Sequence, residues 1–141
     1  MEVLFPGSAH VERGFELRFM EVADRVPTRL GPALTLTAYA VDHASGAPAH
    51  GLRLACDGKV IAYSGDPAWT ETLVALANEA DLFICESYVY DRAVRYHLSY
   101  ATLAQQRHRL RCRRLILTHP GADMLQHRSE IDVEIAEDAE R

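Results

Sequence analysis

Three residues with acid–base or metal-binding side chains come one to three positions after apolar runs that predict β-strands: Asp66, Glu86 and His119. Functional sites of open α/β sheets collect at the carboxyl ends of strands, so we expect these side chains to share one edge of a sheet. His43 follows another predicted strand and His97 precedes a predicted helix, so both could join them. Imidazole and carboxylate groups together suit Zn, Mn or Fe, although a histidine in a loop is more often simply solvated.

The elements that must position these residues alternate between strands and helices. Apolar runs and period-2 patterns predict strands over 15–19, 33–41, 52–56, 60–63, 82–85 and 115–117, and an edge strand over 131–135. Helical spacing predicts helices over 71–80, with Thr70 as N-cap, and over 98–110. Asp57-Gly58 predicts a tight hairpin turn. The later part reads as a βαβαβ unit, which favours an α/β or layered α+β fold.

Length and composition indicate one globular domain. The chain has 141 residues, of which 48% are hydrophobic and 25% charged. A net charge of −5 argues against binding nucleic acid through a general basic field. No apolar run approaches the roughly 18 residues of a membrane span, and residues 1–8 do not resemble a secretory signal. Three widely spaced cysteines favour a reduced, cytoplasmic setting over a disulfide framework.

A cluster of basic side chains near the end of the second predicted helix invites a phosphate-binding interpretation. The alternative is that these arginines lie on the surface beside acidic neighbours, and we favour it because acidic residues are abundant. The cluster consists of Arg107, Arg109, Arg111, Arg113 and Arg114.

Five segments between residues 40 and 119 carry a specific resemblance to a known family. They are AVDH at 40–43 with HGLRL at 50–54, YSGDP at 63–67, ADLFICE at 80–86, HLS at 97–99 and LILTH at 115–119. In this order they resemble segments of the metallo-β-lactamase-fold hydrolases, especially the branch near ribonuclease Z. The resemblance implies the C-terminal half of an αββα sandwich, with a mixed sheet and flanking helices.

The resemblance also implies a role for each candidate residue. His43 matches the third histidine of the first metal site, Asp66 the carboxylate that bridges two metals, and His119 the last ligand of the second site. His97 matches a histidine that lies over the scissile group and assists the leaving group, and Glu86 an acidic residue that orients it. The implied cofactor is one or two divalent ions, Zn in the first place, with Mn or Fe as alternatives.

Two departures from the family pattern concern the completeness of the site. The leading motif His-x-His-x-Asp-His is absent, because no two of the seven histidines are separated by a single residue. We therefore expect residues 1–141 to form a single partial domain that lacks the N-terminal half, and residues 2–8 resemble an interior stretch of full-length relatives. Pro67 stands where the family usually has threonine, so the hydroxyl beside the bridging carboxylate is missing.

The activity implied is hydrolysis of a phosphodiester or another ester by a metal-bound hydroxide. The substrate would be a small molecule or a phosphodiester, and the charge does not support tRNA. The alternatives are an inactive fragment, a half-domain that acts only with an N-terminal partner, and a non-catalytic α/β binding module. Half of a two-sheet sandwich leaves an apolar face uncovered, so we expect a homo-oligomer or pairing with an N-terminal half-domain. No membrane partner is expected.

Overall fold

The computed structural model describes residues 14, 19–43 and 46–137. Within these residues, seven strands form one mixed sheet in chain order: β1 (Thr28–Arg29), β2 (Leu34–Ala40), β3 (His50–Cys56), β4 (Lys59–Tyr63), β5 (Leu82–Glu86), β6 (Leu115–Thr118) and β7 (Glu134–Ile135). Strands β1 to β4 pair antiparallel, and β4 to β7 pair parallel. The helices are α1 (Glu71–Ala77), α2 (Tyr100–Gln106) and α3 (Ala122–Gln126), with short 3₁₀ helices at Arg107–Arg109 and Arg128–Glu130. This arrangement confirms the predicted layered fold with a mixed sheet.

The predicted hairpin turn joins β3 to β4. Asp57 and Gly58 have φ angles of 48° and 74°, so both lie in the left-handed region. A two-residue turn of this kind matches the right-handed twist of the flanking strands. It pairs Cys56 with Lys59 and thereby sets the register of β4, the strand that leads into Asp66.

All three helices pack on one face of the sheet because of the way the parallel strands are connected. Each connection from β4 to β7 moves one strand further in the same direction, and right-handed crossovers then place every helix on the same side. Their buried side chains form a single cluster with the strands: Leu73 and Leu76 from α1, Leu103 from α2, Met124 from α3, and Phe83 and Leu117 from the sheet. This core holds rigid the strand ends that carry the candidate site.

The close packing of α1 on the sheet depends on a glycine. A Cβ added to Gly51 in β3 would lie 2.4 Å from Leu76 Cδ1. From the same strand, Arg53 Nη1 donates a 2.7 Å hydrogen bond to the Leu76 carbonyl in the last turn of α1. The helix end is therefore tied to β3 by packing and by a charge-assisted bond.

The predicted helices are shorter than their apolar patterns suggest. Helix α1 ends at Ala77, since Asn78 leaves the helical conformation and Glu79 has a φ of 55°. Thr70 occupies the predicted N-cap position, although its side chain makes no capping hydrogen bond. Helix α2 begins at Tyr100, where the Ser99 hydroxyl accepts a 3.3 Å hydrogen bond from Thr102 N.

Short elements account for the other differences. Of the predicted edge strand over 131–135, only Glu134–Ile135 pairs with β6, because the preceding residues follow a 3₁₀ helix. The strand β1 and the helix α3 were not predicted, since two and five residues are too few to show a period. The predicted strand over 15–19, apart from Phe19, and the segment at 2–8 lie outside the described residues. None of the described helices meets the length and apolarity needed to cross a bilayer.

The arginine cluster is largely neutralised by acidic partners, as favoured above. Four of its five members form ion pairs: Arg107 with Asp132 at 2.9 Å, Arg109 with Glu71, Arg113 with Asp81 at 3.5 Å, and Arg114 with Glu134 at 2.6 Å. These pairs are solvent-exposed, so each contributes little to stability. They do, however, remove most of the positive charge that a phosphate would need.

One of these acidic partners gives a pH-dependent contribution to stability. Asp132 accepts hydrogen bonds from the Tyr100 hydroxyl at 2.6 Å and from Arg107 at 2.9 Å, and these bonds lower the pKa of the Asp132 carboxyl. The resulting stability is present above the unfolded-state pKa of about 3.9 and is lost as the pH falls through the lower folded-state value.

We therefore expect Asp132→Asn to reduce the free energy of unfolding at pH 7 by less than about 1 kcal/mol, since the carboxylate is exposed. In urea titrations the difference from wild type should shrink by pH 3. The exposed Asp91→Asn serves as the matched control and should show no such trend. An Asp132→Asn effect that is equal at both pH values would contradict the assignment.

The face of the sheet opposite the helices also carries apolar side chains. Alternation along β4 puts Ile61 and Tyr63 opposite the buried Ala62, and they remain 42% and 38% exposed. Cross-strand register puts five half-buried residues of β3, β5 and β6 on the same face: Leu52, Leu54, Leu82, Ile84 and Ile116. We call these seven residues the open face. The described part of the sheet therefore has one apolar face that no described helix covers.

Candidate metal centre

The parallel strands β4, β5 and β6 end at one edge and bring three predicted site residues together. The register pairs Tyr63 with Ile84 and Glu86 with Thr118, so the residues at or just beyond each strand end meet there. His119 Nδ1 lies 3.5 Å from Asp66 Oδ1 and 3.2 Å from Glu86 Oε1. The shared edge inferred from strand ends is therefore present in the fold.

His97 joins this edge from the loop before α2. Its Nδ1 donates a short hydrogen bond to Glu86 Oε1, and its ring centroid lies 5.6 Å from that of His119. Tyr96, directly before it, has a φ of 65°, a tight backbone turn that precedes the capped start of α2. Glu86, His97 and His119 each offer a ligand atom within 4.8 Å of the others.

His43 reaches the same region less directly. Its ring centroid lies 5.5 Å from that of His97, and its Nδ1 lies 3.4 Å from the Tyr96 carbonyl oxygen. In the described part of the chain it makes no ion pair with Asp66. The trio that the fold places closest together, Glu86, His97 and His119, therefore differs from the predicted ligand set of His43, Asp66 and His119.

Glu86 is the electrostatic centre of the cluster. Its side chain is fully buried, and its backbone N–H donates a 2.9 Å hydrogen bond to the buried Ser64 hydroxyl. Burial raises the pKa of the carboxyl, and the hydrogen bond from His97 partly opposes that shift. Among the described residues, no hydrogen-bond partner meets Glu86 Oε2. A buried carboxylate oxygen without a partner is costly, so this position favours a cation or a further donor.

The donor set fits a borderline divalent metal. Carboxylate oxygens and imidazole nitrogens at a strand edge are ligands that Zn, Mn and Fe share. Glu86 contacts Nδ1 of both His97 and His119, which leaves Nε2 of each ring for other partners. A hydrogen bond from the second ring nitrogen to a carboxylate is the usual way in which a ligating histidine is oriented.

Tyr88 also lies at this edge, and it was not predicted from the sequence. The ring of Tyr88 lies against both imidazoles, with centroid distances of 4.7 Å to His97 and 5.2 Å to His119. The only sequence signal was an aromatic residue two positions beyond Glu86, at the end of a buried strand. Many aromatic residues at such positions belong to the core, so the pattern alone does not distinguish the two roles.

Known proteins resemble this chain in sequence profile and in fold. The family profile described as the beta-lactamase superfamily domain matches residues 2–120. The chain belongs to this superfamily. Among curated proteins, none matches the sequence significantly.

Solved structures with the metallo-β-lactamase fold share the architecture. The chain is similar to YhfI from Bacillus subtilis, with a TM-score of 0.69 and 15% identity over 95% of this chain and 58% of that one. The comparison with human tRNase Z, short form, gives a TM-score of 0.59 and 25% identity over 77% of this chain and 42% of that one. The comparison with Zn-bound PqqB from Methylobacterium extorquens gives a TM-score of 0.60 and 17% identity over 84% of this chain and 50% of that one. This superfamily chain thus spans about half the length of these three structures.

Proposed function

We propose that this superfamily member is the C-terminal half-domain of a metal-dependent hydrolase of the ribonuclease Z-like branch. The reaction would be hydrolysis of a phosphodiester or another ester. The observation that carries the proposal is the meeting of Asp66, Glu86, His97 and His119 at one edge of the sheet, around a buried carboxylate with an unpartnered oxygen. The 25% identity to human tRNase Z supports the choice of branch.

In this proposal Asp66, His119 and His43 hold one or two divalent ions, Zn in the first place, with Mn or Fe as alternatives. Such an ion, when bound, lowers the pKa of a coordinated water and so supplies a nucleophile near neutral pH. Asp66 and His119 are already adjacent, at 3.5 Å. The His43 ring lies beside that of His97, with centroids 5.5 Å apart, so it reaches the same edge of the sheet.

His97 and Glu86 carry the acid–base part of the proposal. Glu86 accepts the Nδ1 proton of His97, which orients the ring and leaves Nε2 toward the partly exposed edge. From there His97 donates a proton to the departing oxygen of the substrate. The full burial of Glu86 strengthens this contact, because water does not compete for its carboxylate.

A second polypeptide would complete the arrangement by covering the open face. The described sheet has helices on one side and the seven apolar open-face residues on the other, and the chain spans about half the length of its structural neighbours. The partner is a second copy of this chain or an N-terminal half-domain that brings the His-x-His-x-Asp-His ligands.

The decisive experiment measures metal content and turnover of the purified chain together. We expect near-stoichiometric Zn or Mn after loading and dialysis, with hydrolysis of bis-p-nitrophenyl phosphate above the rate of metal-free protein. p-Nitrophenyl acetate, assayed in parallel, separates phosphodiester from carboxylester hydrolysis. Metal without turnover would favour the half-domain that needs an N-terminal partner. Neither metal nor turnover would contradict the proposal and leave the inactive fragment or the α/β binding module.

A further inference from the structure

The segment after β5 is the junction between the two loops that carry histidines. Tyr88 N donates a 2.9 Å hydrogen bond to the carbonyl of Leu98, the residue that follows His97. The Tyr88 carbonyl accepts a 2.9 Å hydrogen bond from Gly121 N, two residues beyond His119. The backbone of Tyr88 therefore ties both loops to the end of β5 at a single point.

The side chain of Tyr88 reaches the two imidazoles from this junction. Its ring is inclined by 35° to that of His97 and by 38° to that of His119, at centroid distances of 4.7 and 5.2 Å. These values lie in the range of roughly 4.5–7 Å in which aromatic rings attract each other. The Tyr88 hydroxyl makes no hydrogen bond with the described residues, so the contact belongs to the ring.

The loop that follows His119 packs closely against the same ring. A Cβ added to Gly121 would lie 2.8 Å from the Tyr88 carbonyl oxygen and 3.1 Å from Tyr88 Cε2. Any side chain at position 121 would therefore push against both the backbone and the ring of Tyr88. His119 itself has a φ of 56°, a conformation that a non-glycine residue keeps only where its surroundings hold it.

The contacts with Glu86 do not by themselves fix the planes of the two imidazole rings. Glu86 Oε1 meets one atom, Nδ1, of each imidazole, and a single point of contact leaves the plane of a ring free to tilt. A ring lying against the imidazole sets that plane. We propose that Tyr88 is a positioning residue, whose aromatic ring rather than its hydroxyl holds His97 and His119 in their mutual orientation. Its consequence for metal binding rests on the function proposed above.

The test uses ring-proton NMR of the histidines in the full, metal-free chain. Resonances are assigned with His97→Gln and His119→Gln. Tyr88→Leu should remove the ring-current shift of both His97 and His119, whereas Tyr88→Phe should retain it. The matched control is Tyr90→Leu, because the Tyr90 ring stacks on His127 at 4.2 Å and 8°. That variant should move the His127 resonances and leave those of His97 and His119 in place.

Zinc titration of the same variants gives the second readout. Loss of a group that orients metal ligands typically weakens metal binding by about 10–100-fold. We expect about tenfold weaker zinc binding for Tyr88→Leu and near wild-type binding for Tyr88→Phe. Where Tyr88→Leu fails to fold, Gly121→Ala replaces it, since it displaces the ring without removing it and should shift both sets of histidine resonances.

The results separate this inference from the proposed function. Unmoved His97 and His119 resonances in Tyr88→Leu, or equal changes in Tyr88→Phe, would overturn the role of the ring. Altered resonances with unchanged zinc affinity would overturn the positioning role. A wild-type chain that shows the expected NMR pattern but binds no zinc would remove the metal function while supporting the contact between Tyr88 and the two imidazoles.

Discussion

Replacing His119 with alanine is expected to weaken zinc binding by about 100-fold or more, and Asp66→Ala should do the same. His119 Nδ1 lies between two carboxylates, 3.5 Å from Asp66 and 3.2 Å from Glu86, so its removal leaves both without their shared imidazole partner. Even groups that only orient metal ligands change affinity by about 10–100-fold, and the loss of a ligand should cost at least as much. Isothermal titration with Zn²⁺ measures the change.

The matched control for this prediction is His108→Ala. His108 is exposed, and its Nδ1 lies 3.1 Å from the Gln105 carbonyl oxygen in the 3₁₀ turn after α2. We expect zinc affinity within about twofold of wild type, since surface substitutions away from such sites have little effect. Equal losses in His108→Ala and His119→Ala would point to non-specific metal binding, and unchanged affinity in both His119→Ala and Asp66→Ala would disprove the ligand assignment.

A charge placed on the open face is expected to abolish association of the purified chain. Ile61 is central to this face and 42% exposed, and its neighbours across the register are leucines of β3 and β5. If a second copy covers the face, Ile61→Lys buries an unpaired ammonium in the interface. Such burial costs several kcal/mol, which corresponds to a loss of more than about 100-fold in affinity.

Analytical ultracentrifugation over a range of concentrations measures this effect. Wild type should show concentration-dependent association and Ile61→Lys a monomer with unchanged circular dichroism. Leu125→Lys is the matched control, because Leu125 is 51% exposed on α3 and lies outside the open face. A wild-type chain that stays monomeric would exclude the second copy and leave the N-terminal half-domain as the remaining partner.

Local chemistry made several features of the fold predictable. The Asp57-Gly58 pair forms its turn because both residues tolerate positive φ, which is a property of two neighbouring residues. The strand β5 was recognisable because four apolar residues follow one another over 82–85, with Phe83 and Cys85 buried on the helix side and Leu82 and Ile84 half-buried on the other. Burial of Cys85 in this run raises the pKa of its thiol to about 12, in line with a core position.

Features that depend on packing were predicted less well. Thr70 has the residue type and position of an N-cap, yet its hydroxyl is buried and makes no hydrogen bond with the described residues. The last turn of α1 is held against β3 by contacts of Leu76 with Arg53 and Gly51. Helical periodicity carries no information about either contact.

In the candidate site, too, features set by strand order were predictable, whereas features set by packing were not. The order of strands along the chain was enough to place Asp66, Glu86 and His119 at one edge, because parallel neighbours end together. The complete burial of Glu86, the contact of His43 with His97 and the contact of Tyr88 with two imidazoles could not be inferred in that way. Each depends on distances between loops that meet only when the sheet and its helices pack, and no local pattern encodes such distances.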